Sequence, residues 1–202
     1  GASGWLVNAS KAEGDWSANL LYTSGTATNA GVEAEAVTAM GLDLSYAMMG
    51  GALSLDVMYN TAKVGDVDLD MNSIGATYNV NDDMSISASQ TTYGDAGYDA
   101  LGGNMGTYGT DSWTSHGNMG HLGANQKDLA IGGTYSMGNF NLGVTMHTVT
   151  DENDDNYERK AMEMSLGYSM SANSGLSINY STDNNGTDTD TKYTWLTLTI
   201  TP

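Results

Sequence analysis

Residues 127–150 alternate between apolar and polar side chains on both sides of a short turn at Met137-Gly138-Asn139. The apolar positions before the turn are Leu129, Ile131, Gly133 and Tyr135, and those after it are Phe140, Leu142, Val144 and Met146. The intervening positions carry small or polar residues, among them Asp128, Thr134, Asn141 and Thr145. Successive side chains of a β-strand point to opposite faces, so a period of two on both arms predicts a β-hairpin with one apolar and one polar face.

The same unit recurs along the chain and predicts about eleven strands in one domain covering residues 1–202. Short and long connections alternate between them. The short ones are residues 11–15, 50–51, 81–83, 137–139 and 171–174, and the long ones are 25–31, 62–72, 93–126, 150–159 and 183–191. The alternation shifts by one position between Met71 and Ile74, which indicates either a β-bulge or a strand that has left the buried zone.

Up-and-down strands with short turns at one end and long loops at the other are typical of outer-membrane β-barrels. Tyrosines on the apolar face support this interpretation, because aromatic side chains gather at both membrane interfaces. Tyr46, Tyr78, Tyr135 and Tyr168 precede short turns, whereas Tyr22, Tyr59 and Tyr180 lie toward the long loops. A soluble β-sandwich also alternates but has no reason to place tyrosine so regularly. The predicted fold is an all-β, antiparallel, up-and-down transmembrane β-barrel, part of a barrel of about 12 to 16 strands.

Composition excludes several other classes of protein. The chain has 24 Asp and Glu against 6 Lys and Arg, a net charge of −18, so nucleic acid is not expected as a partner. It has no cysteine, and no apolar run is long enough for a transmembrane helix. Serine and aspartate are so frequent that an apparent catalytic triad carries no information, and no enzymatic activity is predicted.

The chain resembles the bacterial general porins, especially those of marine and phototrophic proteobacteria. The resemblance is one of texture and rests on segments such as MEMSLGYSMSANSGLSINYSTDNN (162–185) and YTWLTLTIT (193–201). It implies a passive, trimeric, water-filled channel for small solutes.

Two features depart from the porin pattern. The chain stops at Thr201-Pro202 rather than at an aromatic residue, and it lacks the cluster of basic side chains that narrows the family's pore. Its basic residues are Lys11, Lys63, Lys127, Arg159, Lys160 and Lys192. Because barrels have even strand numbers, an odd count leads us to expect at least one strand before Gly1.

The polar face carries the candidate site. Its carboxylates are predicted to line the pore and to favour cations: Glu33, Glu35, Asp43, Asp56 and Glu163. Asp43 and Asp56 lie at similar distances from the Gly50-Gly51 turn, so we expect them to be close neighbours across the ladder.

Two acidic segments are candidate Ca²⁺ sites, although solvated loop charge is the commoner explanation. Their carboxylates are Asp66, Asp68 and Asp70, and Asp151, Asp154 and Asp155. The first segment imitates the start of a calcium loop but lacks its glycine and distal glutamate. No other cofactor is predicted.

The pattern therefore predicts a bacterial outer-membrane location, with membrane lipid and lipopolysaccharide as partners and a homotrimer as the assembly. An alternative is an extracellular structural or adhesive protein, or a filament subunit, that pairs exposed strand edges with its neighbours. The need for detergent distinguishes the two, because only the barrel requires it to stay dispersed.

Overall fold

The computed structural model describes residues 2–29, 32–33, 36–96, 122–184 and 186–200. Strands account for nearly all of them. They are β1 (Ala2–Glu13), β2 (Trp16–Asn29), β3 (Val32–Glu33), β4 (Val37–Met48), β5 (Leu53–Val64), β6 (Val67–Asn81), β7 (Met84–Tyr93), β8 (Gln126–Met137), β9 (Phe140–Asp151), β10 (Asp154–Ser171), β11 (Ser174–Asp183) and β12 (Thr191–Ile200). A 3-10 turn at Met49–Gly51 is the other regular element in the described ranges.

The strands form one sheet in the order β1-β2-β4-β5-β6-β7-β8-β9-β10-β11-β12, and the two-residue β3 pairs with β2. Every neighbouring pair is antiparallel and follows in sequence. Among the described residues, β1 pairs only with β2 and β12 only with β11. The predicted all-β, antiparallel, up-and-down fold is confirmed. Within these ranges no helix has the length and hydropathy needed to cross a membrane.

All five predicted short turns are present at one end of the sheet. Gly14 and Gly138 begin two of them with φ of 59°, and Gly50 adopts a φ of 67° in the third. Positive φ is what tight hairpin turns require, and glycine adopts it without steric cost.

Two of the predicted long loops are wrong, and a third, residues 25–31, begins later than predicted because residues 25–29 belong to β2. Residues 62–72 form the ends of β5 and β6 around a two-residue turn at Gly65-Asp66, and residues 150–159 do the same for β9 and β10 around Glu152-Asn153. Pairing continues to Val64 opposite Val67 in the first hairpin and resumes at Glu158 after a register shift in the second. We call outward the face of the sheet that carries Leu129 and Ile131, and inward the opposite face. These four strands extend beyond the region in which apolar side chains lie on the outward face.

The shift of alternation at Met71–Ile74 is not a bulge. β5 and β6 pair without interruption from Leu53 opposite Tyr78 to Val64 opposite Val67. Instead, the apolar side chains change from one face of the strand to the other. Ile74 points outward and is 59% exposed, whereas Leu69 and Met71 point inward and are 0% and 3% exposed. The second alternative, a strand that has left the buried zone of the membrane, fits this register.

An inner apolar cluster occupies the inward face at the long-loop end. It consists of Ala62, Leu69, Met71, Tyr93, Ala96, Leu122 and Val149. Ala96 and Leu122 belong to the two ends of the longest connection, Gly94–Asn125. The backbone fixes these ends, because Gly94 N donates to Asp70 O at 2.9 Å and Asn125 N donates to Gly94 O at 2.7 Å. The packed core of the described chain therefore lies inside the sheet.

The outward face forms an apolar band. Cross-strand pairing places Leu142, Leu166 and Ile178 side by side, and all three are exposed. The predicted shared surface also includes Leu129, Ile131, Phe140 and Met164, which are exposed, and Met162 and Leu176, which are half-buried. Tyr46, Tyr78, Tyr135 and Tyr168 are exposed near the short turns.

Candidate functional site: the inward face of the sheet

Two neighbouring rows of inward side chains cross β7 to β12. One row pairs Ser87, Gly132, Thr145, Glu163 and Ser181 in order across five strands. The next row, toward the short turns, pairs Thr134, Gly143, Ser165, Asn179 and Trp195. Both rows are hydroxyls, amides and glycines, with one carboxylate and one indole.

These rows line a cavity of about 430 Å³, which we call the β7–β12 trough. Two glycines of these rows lie directly against neighbouring hydroxyls. A Cβ at Gly143 would lie 2.7 Å from Ser165 Oγ, and one at Gly132 would lie 2.9 Å from Thr145 Oγ1. Any side chain at these two positions would displace a hydroxyl, so glycine allows the Ser165 and Thr145 hydroxyls to lie close to the backbone of the neighbouring strand.

A second cavity of about 320 Å³, the β1–β5 trough, lies on the inward face near the amino end of the sheet. Its inward lining is Ser10, Ala12, Ser17, Asn19, Asp43, Ser45, Asp56 and Met58. Asn8 Nδ2 donates to Asn19 Oδ1 at 3.1 Å, and Asn19 is hydrogen-bonded to the Asp43 carboxylate. Ser45 Oγ donates to Asp56 Oδ1 at 2.5 Å.

Asp43 and Asp56 are neighbours across the ladder as expected, but they lie diagonally and not directly opposite each other. Asp43 lies opposite Met58, and Asp56 lies opposite Ser45. The 3-10 turn at Met49–Gly51 sets this register, which places the two carboxylates diagonally. Each therefore meets a neutral hydrogen-bond donor rather than a second negative charge.

The structure brings three of the five predicted pore-lining carboxylates to the inward face: Asp43, Asp56 and Glu163. Glu33 pairs through its backbone with Thr28, its side chain lies outside the described part of the chain, and Glu35 lies outside the described residues altogether. Their pore-lining role stays a prediction.

One buried ion pair and one buried hydrogen-bonded pair on the inward face were missed by the sequence analysis. Arg159 Nε donates to Asp183 Oδ1 at 2.9 Å, with side chains that are 3% and 1% exposed. His147 Nδ1 lies 2.7 Å from Asp128 Oδ2, and both side chains are buried. Continuing the alternation of β10 from Ala161 toward its start places Arg159 on the inward face. The sequence pattern instead predicts a loop over residues 150–159.

The candidate calcium segments lie in two tight hairpins. Asp66 is in a turn, Asp68 lies 3.1 Å from Lys63 Nζ, and Asp70 Oδ1 accepts a hydrogen bond from Tyr59 OH at 3.4 Å. Near the other turn, Asp151 and Asp154 accept hydrogen bonds from the backbone N–H groups two residues ahead of each. Asp155 is exposed in β10. In the described ranges, no three His, Asp or Glu side chains converge as a metal site would require. Calcium binding stays a prediction.

Comparison with known proteins gives similarity of structure only. No protein-family model matches the sequence, and no curated protein sequence matches it. OccK11 (OpdR) of Pseudomonas aeruginosa superposes with a TM-score of 0.69 at 15% identity, covering 98% of this chain and 57% of that one. The outer-membrane channel DcaP of Acinetobacter baumannii superposes with a TM-score of 0.58 at 14% identity, covering 96% and 60%. The NanC porin gives 0.53 at 10% identity, covering 100% and 94%.

The chain thus spans somewhat more than half the length of OccK11 and DcaP and nearly all of NanC. Identities this low establish a shared fold and nothing finer. Together with the strand order and the apolar outward band, they show that the chain has the antiparallel β-sheet fold of outer-membrane barrels.

Proposed function

We propose that the chain is a bacterial outer-membrane porin, a water-filled channel for passive diffusion of ions and small hydrophilic solutes. The observation that carries the proposal is the division of the sheet into two faces. Large apolar side chains stand exposed on the outward face, and hydroxyls, amides and carboxylates occupy the inward face of the same strands. Lipid on one side and water on the other is the environment in which this division costs least.

An outer-membrane location follows from the same argument, with membrane lipid and lipopolysaccharide against the outward face. A homotrimer is part of the proposal. The channels to which the fold is similar support a diffusion pore, and they lend no support to a filament or adhesive subunit. Such a pore performs no chemistry, so no enzymatic activity is proposed.

Cation preference is the finer part of the proposal. Asp43, Asp56 and Glu163 face inward, and the inward cation Arg159 is neutralised by Asp183. Carboxylates along a narrow wet passage raise the local concentration of cations, and salt screens this effect over about 8–10 Å.

The test is the zero-current potential across a planar bilayer in a KCl gradient. The parent is expected to give a potential of the sign for K⁺ selectivity, reduced in Asp43→Asn/Asp56→Asn. The matched control is Asp68→Asn, which removes one carboxylate from the outward face. Anion selectivity in the parent would contradict the proposal. A potential equal in the parent and the double variant would remove these two residues from it.

A further inference from the structure

The β7–β12 trough has the chemistry of a binding subsite rather than of a plain channel wall. Resting on the proposed channel function, we infer that it binds a small hydroxylated organic ammonium ion during passage. Glu163 supplies the charge, Trp195 an aromatic surface, and Ser87, Thr145 and Ser165 the hydroxyls.

Four carboxylates on the inward face have bonded partners. Asp56 accepts a hydrogen bond from Ser45, Asp128 is bonded to His147, and Asp183 is bonded to Arg159. Asp43 is hydrogen-bonded to Asn19. Glu163 differs, because no hydrogen bond or ion pair to its carboxylate occurs within the described part of the chain, and its electrostatic neighbour His147 is already bonded to Asp128. A half-buried carboxylate without a bonded partner gains a charge-assisted hydrogen bond from a cationic ligand.

The ligand's charge class follows from what else lines the trough. Among the described residues no basic side chain lines it, so an anion would find no counter-charge there. A bare metal ion would need several carboxylate or imidazole ligands, and no such group of three occurs in the described ranges. Glu163 alone is sufficient for one ammonium group.

Trp195 favours an organic cation over an inorganic one. It lies opposite Asn179, which lies opposite Ser165, so its indole shares the trough with Glu163 two strands away. An ammonium group is attracted to the face of an aromatic ring, and indole gives the strongest attraction of this kind. The remaining lining fits a ligand that also carries a hydroxyl, because the hydroxyls of Thr145 and Ser165 lie on the wall of the trough.

Choline is the probe, since it combines a quaternary ammonium with one hydroxyl. Calorimetric titration of choline into the detergent-solubilised protein measures binding without any requirement for conduction. Millimolar affinity is expected for the parent. Glu163→Gln is expected to weaken it about tenfold, and Trp195→Leu about two- to fivefold. Asp68→Asn, which removes a carboxylate from the outward face, is the matched control and is expected to leave the affinity unchanged.

A second measurement adds choline to one side of a bilayer in which the parent conducts K⁺. Choline is expected to reduce the K⁺ current of the parent and of Asp68→Asn more than that of Glu163→Gln. Folding of each variant is checked by its mobility shift on unheated gels. Because Trp195→Leu alters the site through a second strand, it tests the inference even if Glu163→Gln does not insert.

The outcomes separate the two proposals. Conduction without choline binding by calorimetry would overturn the subsite and leave the channel in place. Choline binding by a folded protein that does not conduct would overturn the channel instead. Equal affinity in the parent, Glu163→Gln and Trp195→Leu would overturn the assignment to this trough, and stronger binding of glucose than of choline would overturn the ammonium class.

Discussion

The apolar band and the long-loop end of the same strands place their apolar side chains on opposite faces of the sheet. In the band, β6 directs Ile74 and Tyr78 outward, where both are exposed. A few residues away the same strand directs Leu69 and Met71 inward, where both are buried. The backbone pairing does not change between the two regions. In the proposed channel this difference has a simple cause, because apolar side chains face lipid within the band and face the interior of the sheet beyond it.

Charged side chains also change face beyond the apolar band. On the outward face beyond the band, Lys63 pairs with Asp68, and Lys160 pairs with Glu158. Charged side chains are expected outside where water lies outside, and they are costly where lipid does. In the proposed channel, the position on β6 at which apolar side chains change from the outward to the inward face marks the boundary of the membrane nearer the long loops.

The largest expected effect is on the buried pair of Arg159 and Asp183. Arg159→Met would leave the Asp183 carboxylate buried without its partner, and the expected loss of unfolding free energy is about 3–5 kcal/mol. The measurement is urea unfolding of the protein folded into lipid vesicles. In the double variant Arg159→Met/Asp183→Leu no unpaired charge remains, so most of the stability should return. A single variant as stable as the parent would show that this pair is not buried in the membrane-inserted protein.

Packing gives the next contrast along β6. Leu69→Ala would create a cavity in the inner apolar cluster and is expected to cost about 2–5 kcal/mol. Ile74→Ala, five residues away on the outward face, is expected to cost less, because lipid chains fill the space that it vacates. Equal losses in the two variants, measured by the same urea unfolding, would argue against a packed core inside the sheet.

Charge at mid-band should also be costly, although less so. Leu166→Arg places a cation among Leu142 and Ile178, and the expected cost is about 2–4 kcal/mol. The control is Asp70→Arg, which puts the same side chain on the outward face beyond the band and should cost little. If Leu166→Arg folds and inserts as well as the control, this surface does not contact lipid.

Within the apolar band the fold could be predicted from sequence, because apolar side chains there stay on the outward face along each strand. Strand, turn and face assignments hold from Phe140 to Met146 and from Met162 to Tyr168. Beyond the band the apolar side chains lie on the inward face. For this reason the sequence shows a shift of alternation between Met71 and Ile74 and predicts a loop over residues 150–159. Long-range packing of Tyr93, Ala96 and Leu122 leaves no periodic signal.

The candidate site was predictable only as a list of carboxylates. Alternation assigns Asp43, Asp56 and Glu163 to one face, but it does not give the cross-strand register. That register depends on the geometry of the turn at Met49–Gly51 and decides that Asp56 meets Ser45. Within the described ranges Glu163 has no bonded partner, and this observation, on which the inferred subsite depends, is a property of five strands together. Such a property cannot be read from any one segment.

The smallest expected effect is on the exposed pair of Lys63 and Asp68. Their side chains lie 3.1 Å apart at the end of the β5–β6 hairpin, and both are more than half exposed. Water and salt weaken an exposed ion pair, so its coupling energy should be about 0–1 kcal/mol and should fall as salt is added. A double-mutant cycle with Lys63→Ala and Asp68→Ala measures this coupling by urea unfolding. The equivalent cycle on Arg159 and Asp183 should give a larger coupling that salt changes little, because those side chains are buried. A large, salt-insensitive coupling between Lys63 and Asp68 would mean that this hairpin end lies against something other than water, and would move the membrane boundary on β5 and β6.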